Sequence, residues 1–448
     1  MTCIRLKLLI LHGLIINHNK QKQMGNSNKN SNMIAIITMC FIFAMISFVT
    51  NMAAPFGTIW GYKYEWAGMM GNMMNFAAYL FMGIPAGKML VKFGYKKTAL
   101  IALIVGVAGL LVQYLSSIFG AGTICFSVND QPVALNLIIY LLGAFICGFC
   151  VCMLNTVVNP MLNILGGGGN RGNQFIQIGG TLNSLTGTLT PFLVGILVGQ
   201  LSEKTSMSDV SPLLFVGMAV FALSFFIIYF VSIPEPEANK ENVTYERSPL
   251  AFRHCLLGVV AIFFYVGVEI GIPAELNFYL SGMDFEGASA VGGTLAAVYW
   301  LLMMAGRFLS SFISGKVSTS MQMSVVSSLA ILLLLIAIFM PEDITFDYQG
   351  NAIPVKCIFI ATCGICTSIM WGGIFNLAVE GLGKYTAAAS GLFMTMVVGG
   401  GVMPLIQHQI ALNTSAMMSY WLVIAMLAYI LYYSVLGCKN VNKDIPVE

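Results

Sequence analysis

Between Met33 and Leu436 the chain repeats one pattern twelve times: a long apolar run, then a short polar turn. A helix needs about 20 residues to cross a bilayer. Backbone groups inside hydrocarbon have no water to bond, so each run has to be helical. The runs fall near 33–54, 66–87, 98–118, 133–157, 174–199, 212–233, 254–280, 287–309, 321–340, 356–379, 386–411 and 415–436. Charged residues make up 9% of the chain, against about 25% in a soluble domain. The sequence therefore describes an all-α membrane protein of twelve spans, with the lipid bilayer as its first partner.

Lysine and arginine orient the spans, because cytoplasmic loops carry them in excess. With the N-terminus inside, only Lys63, Lys204 and Lys356 of the 21 Lys and Arg fall outside. Arg307, at the inner end of span eight, counts among the inner charges, and no Lys or Arg is expected at mid-depth. Both termini are then cytoplasmic in a multi-pass cell membrane protein, at the inner membrane of a bacterial source. The basic residues form no stripe, so nucleic acid is not an expected partner. The cysteines lie mostly inside apolar runs, as small apolar residues do. Cys147, Cys150 and Cys152 have no His or second Cys pair near them, so no metal is expected.

The longest polar connection among the middle spans divides them six and six. The expected units are an N-terminal disordered segment at 1–32, a six-helix bundle at 33–234, a cytoplasmic linker at 235–250, a second bundle at 251–437 and a cytoplasmic tail at 438–448. The first residues have a basic start and a short apolar core, like a signal peptide, with no cleavage pattern after it. The start is expected at Met24 or Met33. The sequon at Asn242 lies on the inner side of this topology. A weak repeat links Asn159–Pro191, after span four, to Asn376–Pro404, after span ten. Each runs from an Asn through Leu-Gly into a glycine-rich helix that ends in Pro. Parallel repeats of six spans mark two pseudo-symmetric bundles.

Span seven holds the residue of greatest chemical interest. Glu269 lies inside FFYVGVEIGIPAELNFYL at 263–280. A carboxylate at membrane depth costs roughly 2.5–3.5 kcal/mol on insertion scales and normally faces a bundle interior or a water-filled path. Tyr265, Glu269, Pro273 and Asn277 recur every four residues and share one helical face. Gly271 and Pro273 weaken the helix just beyond Glu269. Glu275 lies nearer the outer end, and His408 near the outer end of span eleven reads as structural.

Span two ends in Gly87-Lys88-Met89-Leu90-Val91-Lys92-Phe93-Gly94-Tyr95-Lys96-Lys97. This resembles the loop motif of the major facilitator superfamily: Gly, three residues, Asp, a basic residue, any residue, Gly, then basic residues. Gly87, Lys92, Gly94, Lys96 and Lys97 match, and Val91 stands where the Asp would be. IPAGKML (84–90), NTVVNPMLNILG (155–166), LNS (182–184), FYVGVE (264–269), GRF (306–308), GIFNLAVEGLG (373–383) and GLFMTMVVGGGVMP (391–404) are similar to the fucose permease and glucose/galactose transporter branch. The resemblance implies the major facilitator fold and sugar:cation symport. That branch's fucose symporter carries acids in spans one and four, where this chain has Asn51 and Asn155. Its span-five Gln is replaced by Gly180. Amides carry no proton near neutral pH, so any proton or sodium coupling is expected at Glu269.

A sugar site wants amides, a carboxylate and an aromatic platform. The candidates are Asn51, Asn72, Asn75, Asn155, Asn159, Gln177, Asn183, Glu269, Asn277, Tyr299, Trp300, Trp371 and Asn376. The expected function is import of a monosaccharide by alternating access, with no cofactor beyond a coupling cation, H+ or Na+, and with one chain acting as a monomer. The alternatives are a sugar uniporter and a drug or metabolite efflux transporter. A membrane enzyme would need an acid and base pair, a nucleophile or a metal set within reach, and the spans offer one central acid and no clustered His or Cys set.

Overall fold

The computed structural model describes residues 32–448 apart from 69, 129, 199–203, 236–245, 286–287, 349, 443–444 and 447–448. The expected N-terminal segment, save its last residue, and most of the linker lie outside the described residues.

Twelve long helices are present among the described residues. They are α1 (Asn32–Lys63), α2 (70–93) and α3 (95–118), α4 (Leu135–Leu165), α5 (Gly169–Leu197), α6 (Ser211–Phe230), α7 (Arg253–Ser281), α8 (Ala288–Ile313) and α9 (Thr319–Phe339). α10 (Lys356–Val379), α11 (Gly383–Asn413) and α12 (Ala416–Gly437) complete the set. Helices α1–α6 form one bundle and α7–α12 the other. The spans expected from the sequence match these helices one for one, with most ends displaced by a few residues and those of α1, α2 and α4 running six to nine residues farther than expected.

The repeat is visible in the connections. A hairpin of β1 (Ile124–Val128) and β2 (Gln131–Ala134) joins α3 to α4, and one of β3 (Thr345–Tyr348) and β4 (Asn351–Pro354) joins α9 to α10, six spans later. The α4–α5 and α10–α11 turns use left-handed glycines, Gly167 at φ 84° in the first and Gly381 at φ 71° in the second. These conformations are open to Gly at no steric cost.

The lysine-rich loop shows why its two glycines are there. Gly94 adopts φ 81° and breaks α2 from α3. Just beyond it, Glu235 accepts from the backbone N–H of Tyr95 (2.8 Å) and Lys96 (2.9 Å). A carboxylate at a helix N-terminus satisfies unpaired donors and opposes the macrodipole. Lys96 donates back to the carbonyls of Tyr229 (2.9 Å) and Val231 (2.8 Å) at the end of α6. Val91 has replaced the motif's acid, and Glu235, from the far end of the same bundle, supplies a carboxylate to this loop. Gly87 meets Gly391 of α11 so closely that a Cβ on it would lie 2.9 Å from the Gly391 Cα. The bundles therefore touch backbone to backbone at the lysine-rich end.

Hydrogen bonds between the bundles concentrate in the same half. Asn163 donates to Asn376 Oδ1 (2.6 Å) and Trp371 to Asn159 Oδ1 (3.0 Å). Gln174 donates to the Ser311 carbonyl (2.9 Å), Gln177 to that of Ile369 (3.1 Å), and Ser390 to that of Thr156 (3.1 Å). Among the described residues, none lies farther toward the hairpin end than the Thr188–Met304 contact near mid-depth of α5. The molecule is sealed at its lysine-rich end.

Candidate functional site

Two interruptions of regular helix and one close helix contact converge near mid-depth. Pro273 has no N–H to offer the Glu269 carbonyl one turn below it. α10 breaks at Ser368 and Ile369, between helical stretches Lys356–Thr367 and Met370–Val379. α8 packs so tightly on α10 that a Cβ on Gly306 would run into Ser368. Irregular backbone persists at membrane depth where it is buried in protein or lines a cavity.

At this convergence Arg307 Nη2 donates to Glu269 Oε1 over 3.0 Å, and the two side chains are 12% and 13% exposed. Tyr265 donates to the same oxygen over 2.8 Å. Arg307 Nε donates to the Ser368 carbonyl (3.2 Å) and Nη1 to Ser184 Oγ (2.7 Å). Ser184 lies on α5, so the guanidinium spans the two bundles. Its stem crosses Gly180, where a Cβ would sit 3.5 Å from Arg307 Cδ. At Gly180, where the sequence comparison set the fucose symporter's Gln, the space beyond the backbone belongs to an arginine.

This arrangement corrects the sequence reading. Arg307 is not a loop charge: it lies within α8, and its guanidinium reaches Glu269 near mid-depth of α7. The expected span ended at 309, whereas α8 runs on to Ile313. At 1.5 Å per residue this sets Arg307 about 9 Å inside the helix end. Glu269 therefore has its counter-charge from the protein and does not require a sodium ion for one.

The pair retains bonding capacity. A guanidinium has five N–H groups, and three are used. Among the described residues, Glu269 Oε2 accepts no hydrogen bond. Two donors and one acceptor on fixed side chains fit a polyol, and the tilted Tyr265 and Trp371 rings, 6.3 Å apart, adjoin them.

The other candidates divide by position. Asn51 is exposed, with its amide directed to Ser47, and it faces Gly187 one turn above Ser184. Trp300 is 40% exposed and shares the face of α8 that carries Met304 and Arg307. Asn155 is buried and donates to Tyr79 (2.8 Å). Asn159, Gln177 and Asn376 are committed to the inter-bundle seal, and Asn183 donates to the Phe43 carbonyl on α1 (2.7 Å). Tyr299 lies behind the site, bonded to Thr367 (2.9 Å). Asn72 is half-buried on α2, and Asn75 turns toward α4, its Oδ1 buried and without a partner. Asn277 lies two turns beyond Glu269 beside Gly292. Farther out, His408 meets the buried Glu275 Oε2 at 3.0 Å, a second acid–base pair separate from the first. Among the described residues no cluster of His, Cys, Asp and Glu has metal-binding geometry.

The arrangement of helices matches solved structures closely. The crystal structure of a point variant of the E. coli fucose:proton symporter FucP gives a TM-score of 0.75 at 18% identity, covering 90% of this chain and 98% of that one. FucP in the outward conformation gives 0.74 at 19% identity, with the same coverage. Curated relatives extend over comparable lengths. The chain is 25% identical over 426 residues to the glucose/galactose transporter of Brucella abortus biovar 1 (strain 9-941), covering 93% of this chain and 96% of that protein. It is 23% identical over 375 residues to the L-fucose-proton symporter of Escherichia coli (strain K12), covering 75% and 76%. The family profile matches residues 34–405, nearly the whole helical body, and the chain belongs to the Major Facilitator Superfamily.

Proposed function

We propose that this protein imports a monosaccharide together with a proton by alternating access between its two bundles. The observation that carries the reading is the Glu269–Arg307 pair. It is one buried carboxylate, held by its own guanidinium, with donor and acceptor positions left over where the bundles meet. Glu269 is the group that takes up and releases the proton. Arg307, Tyr265 and the Trp371 ring orient the sugar, with Asn51 and Trp300 on the approach. The names of the relatives, glucose/galactose transporters and L-fucose-proton symporters, agree with this substrate class and this ion.

The lysine-rich end is the cytoplasmic end, by the excess of basic residues in inner loops. Both termini then lie inside, and the sealed half is the inner half, so the molecule faces outward. One chain supplies every group of the site, and a monomer suffices.

Purified protein in proteoliposomes, offered radiolabelled glucose, galactose and fucose, tests the proposal. Uphill uptake of one of them under an inward proton gradient, without sodium, is expected. Equilibration alone under every gradient would make the protein a uniporter. No transport of any hexose would remove the substrate class.

A further inference from the structure

We propose that the Arg307–Ser184 hydrogen bond is a latch on the lysine-rich end whose strength is set by the charge on Glu269. The proposal rests on the reading of this pair as the proton site, and it adds how that site governs the conformational change. Arg307 is rooted in the second bundle by Glu269 of α7 and the Ser368 carbonyl of α10. Its remaining bond, 2.7 Å to Ser184 of α5, reaches the first bundle. The neutral amide contacts nearer the lysine-rich end, such as Gln174 to Ser311, gain nothing from a change of charge. The latch does.

Seating a guanidinium with 12% exposure in the closed interface is tolerable because an ionised carboxylate lies 3.0 Å away. An unpaired buried charge is strongly disfavoured. When Glu269 takes a proton, Arg307 becomes an isolated cation in the seal. Parting α5 from α8 admits water to it, so protonation favours opening of the lysine-rich end. Among the described residues, the charged and titratable groups around Glu269 are Arg307 and Tyr299 from α8 and Tyr265 from its own helix. α5 contributes a serine hydroxyl and α10 a carbonyl, and neither titrates in the working range. The switch therefore has one titrating member. A proton taken from the open side loosens the closed side, which is the order of events a symporter needs.

Hydrogen exchange by mass spectrometry on the full chain in nanodiscs, without sugar, tests this independently of the substrate. The reporters are the backbone amides of 170–178 and 308–318, which flank the seal. Ser184→Ala removes the acceptor and leaves the ion pair, avoiding the folding risk of deleting Arg307. Glu269→Gln removes the charge and keeps the shape. Each should speed exchange in both segments by about tenfold, the factor that corresponds to ~1.4 kcal/mol, at the lower edge of the range for a hydrogen bond to a charged group. The double variant should exchange no faster than either single, because both act on one latch. Wild-type exchange, corrected for intrinsic rates, should rise on acidification, and that of Glu269→Gln should not. Wild-type exchange in Ser184→Ala, or additive effects in the double variant, would overturn the latch. If hexose transport fails while these results hold, the substrate class is wrong and the latch stands.

Discussion

Replacing Arg307 with alanine removes three hydrogen bonds and strands a carboxylate. Glu269 would keep only the Tyr265 hydroxyl, with 13% of its side chain exposed. Removing one partner of a buried ion pair costs about 3–5 kcal/mol. The pair retains some exposure on the open side, so the lower end applies, about 3 kcal/mol, or roughly a hundredfold in the unfolding equilibrium. Adding Glu269→Gln removes the stranded charge, and the double variant should lie within about 1 kcal/mol of wild type. The coupling energy between the positions should then be about 2 kcal/mol or more. Equilibrium unfolding in mixed micelles, followed by tryptophan fluorescence, measures all four members of the cycle. A loss under about 1 kcal/mol for Arg307→Ala is the behaviour of an exposed pair and would refute the reasoning. So would two single losses that simply add.

Asn155→Ala should cost about 1–3 kcal/mol of stability, since it leaves the buried Tyr79 hydroxyl without its 2.8 Å donor; adding Tyr79→Phe should recover part of the loss, and thermal unfolding of both variants decides. Gly391→Ala should force α2 and α11 apart, because a Cβ there would lie 2.7 Å from the Gly83 carbonyl oxygen and the Gly87 Cα. Faster hydrogen exchange in 84–92 and 386–395 is the expected result, and unchanged exchange would count against the close contact. Asp209 accepts from the backbone N–H (2.8 Å) and hydroxyl (2.9 Å) of Ser206 before α6, which holds its carboxyl below the usual carboxylate range. A depressed folded value contributes stability above the unfolded value and loses it as pH falls through the folded one. The small difference in melting temperature between wild type and Asp209→Asn should therefore shrink from about pH 5 toward about pH 2.

The twelve helices were legible because hydrocarbon imposes a length and an apolar content that no loop shares. Glu269 was legible for the same reason, as a carboxylate inside such a run. Arg307 was not, because a boundary four residues short set it two residues from the end of its span, where it counted with the inner loop charges. A signal was available: an ionised acid at mid-depth demands a base, and Arg307 falls on one face with Trp300 and Met304. The hairpins escaped notice because their strands of four or five residues are shorter than any span. Asp130 at φ 61° and Gly350 at φ 84° are the turn residues that mark them. Asn159, Gln177 and Asn376 teach a different lesson. An amide on a cavity-facing helix looks the same in sequence whether it meets a ligand or the opposite bundle. Only the packing of α4 and α5 against α10 shows that these three hold the seal.

In the proposed cycle the charge of Glu269 couples the proton to the sugar. Glu269→Gln keeps the hydrogen-bonding shape of the side chain and removes its proton. Sugar counterflow between equal pools and gradient-driven accumulation should be measured in the same proteoliposomes. Near wild-type counterflow with accumulation abolished is the expected result. Uphill accumulation by the glutamine variant at the wild-type level would contradict it.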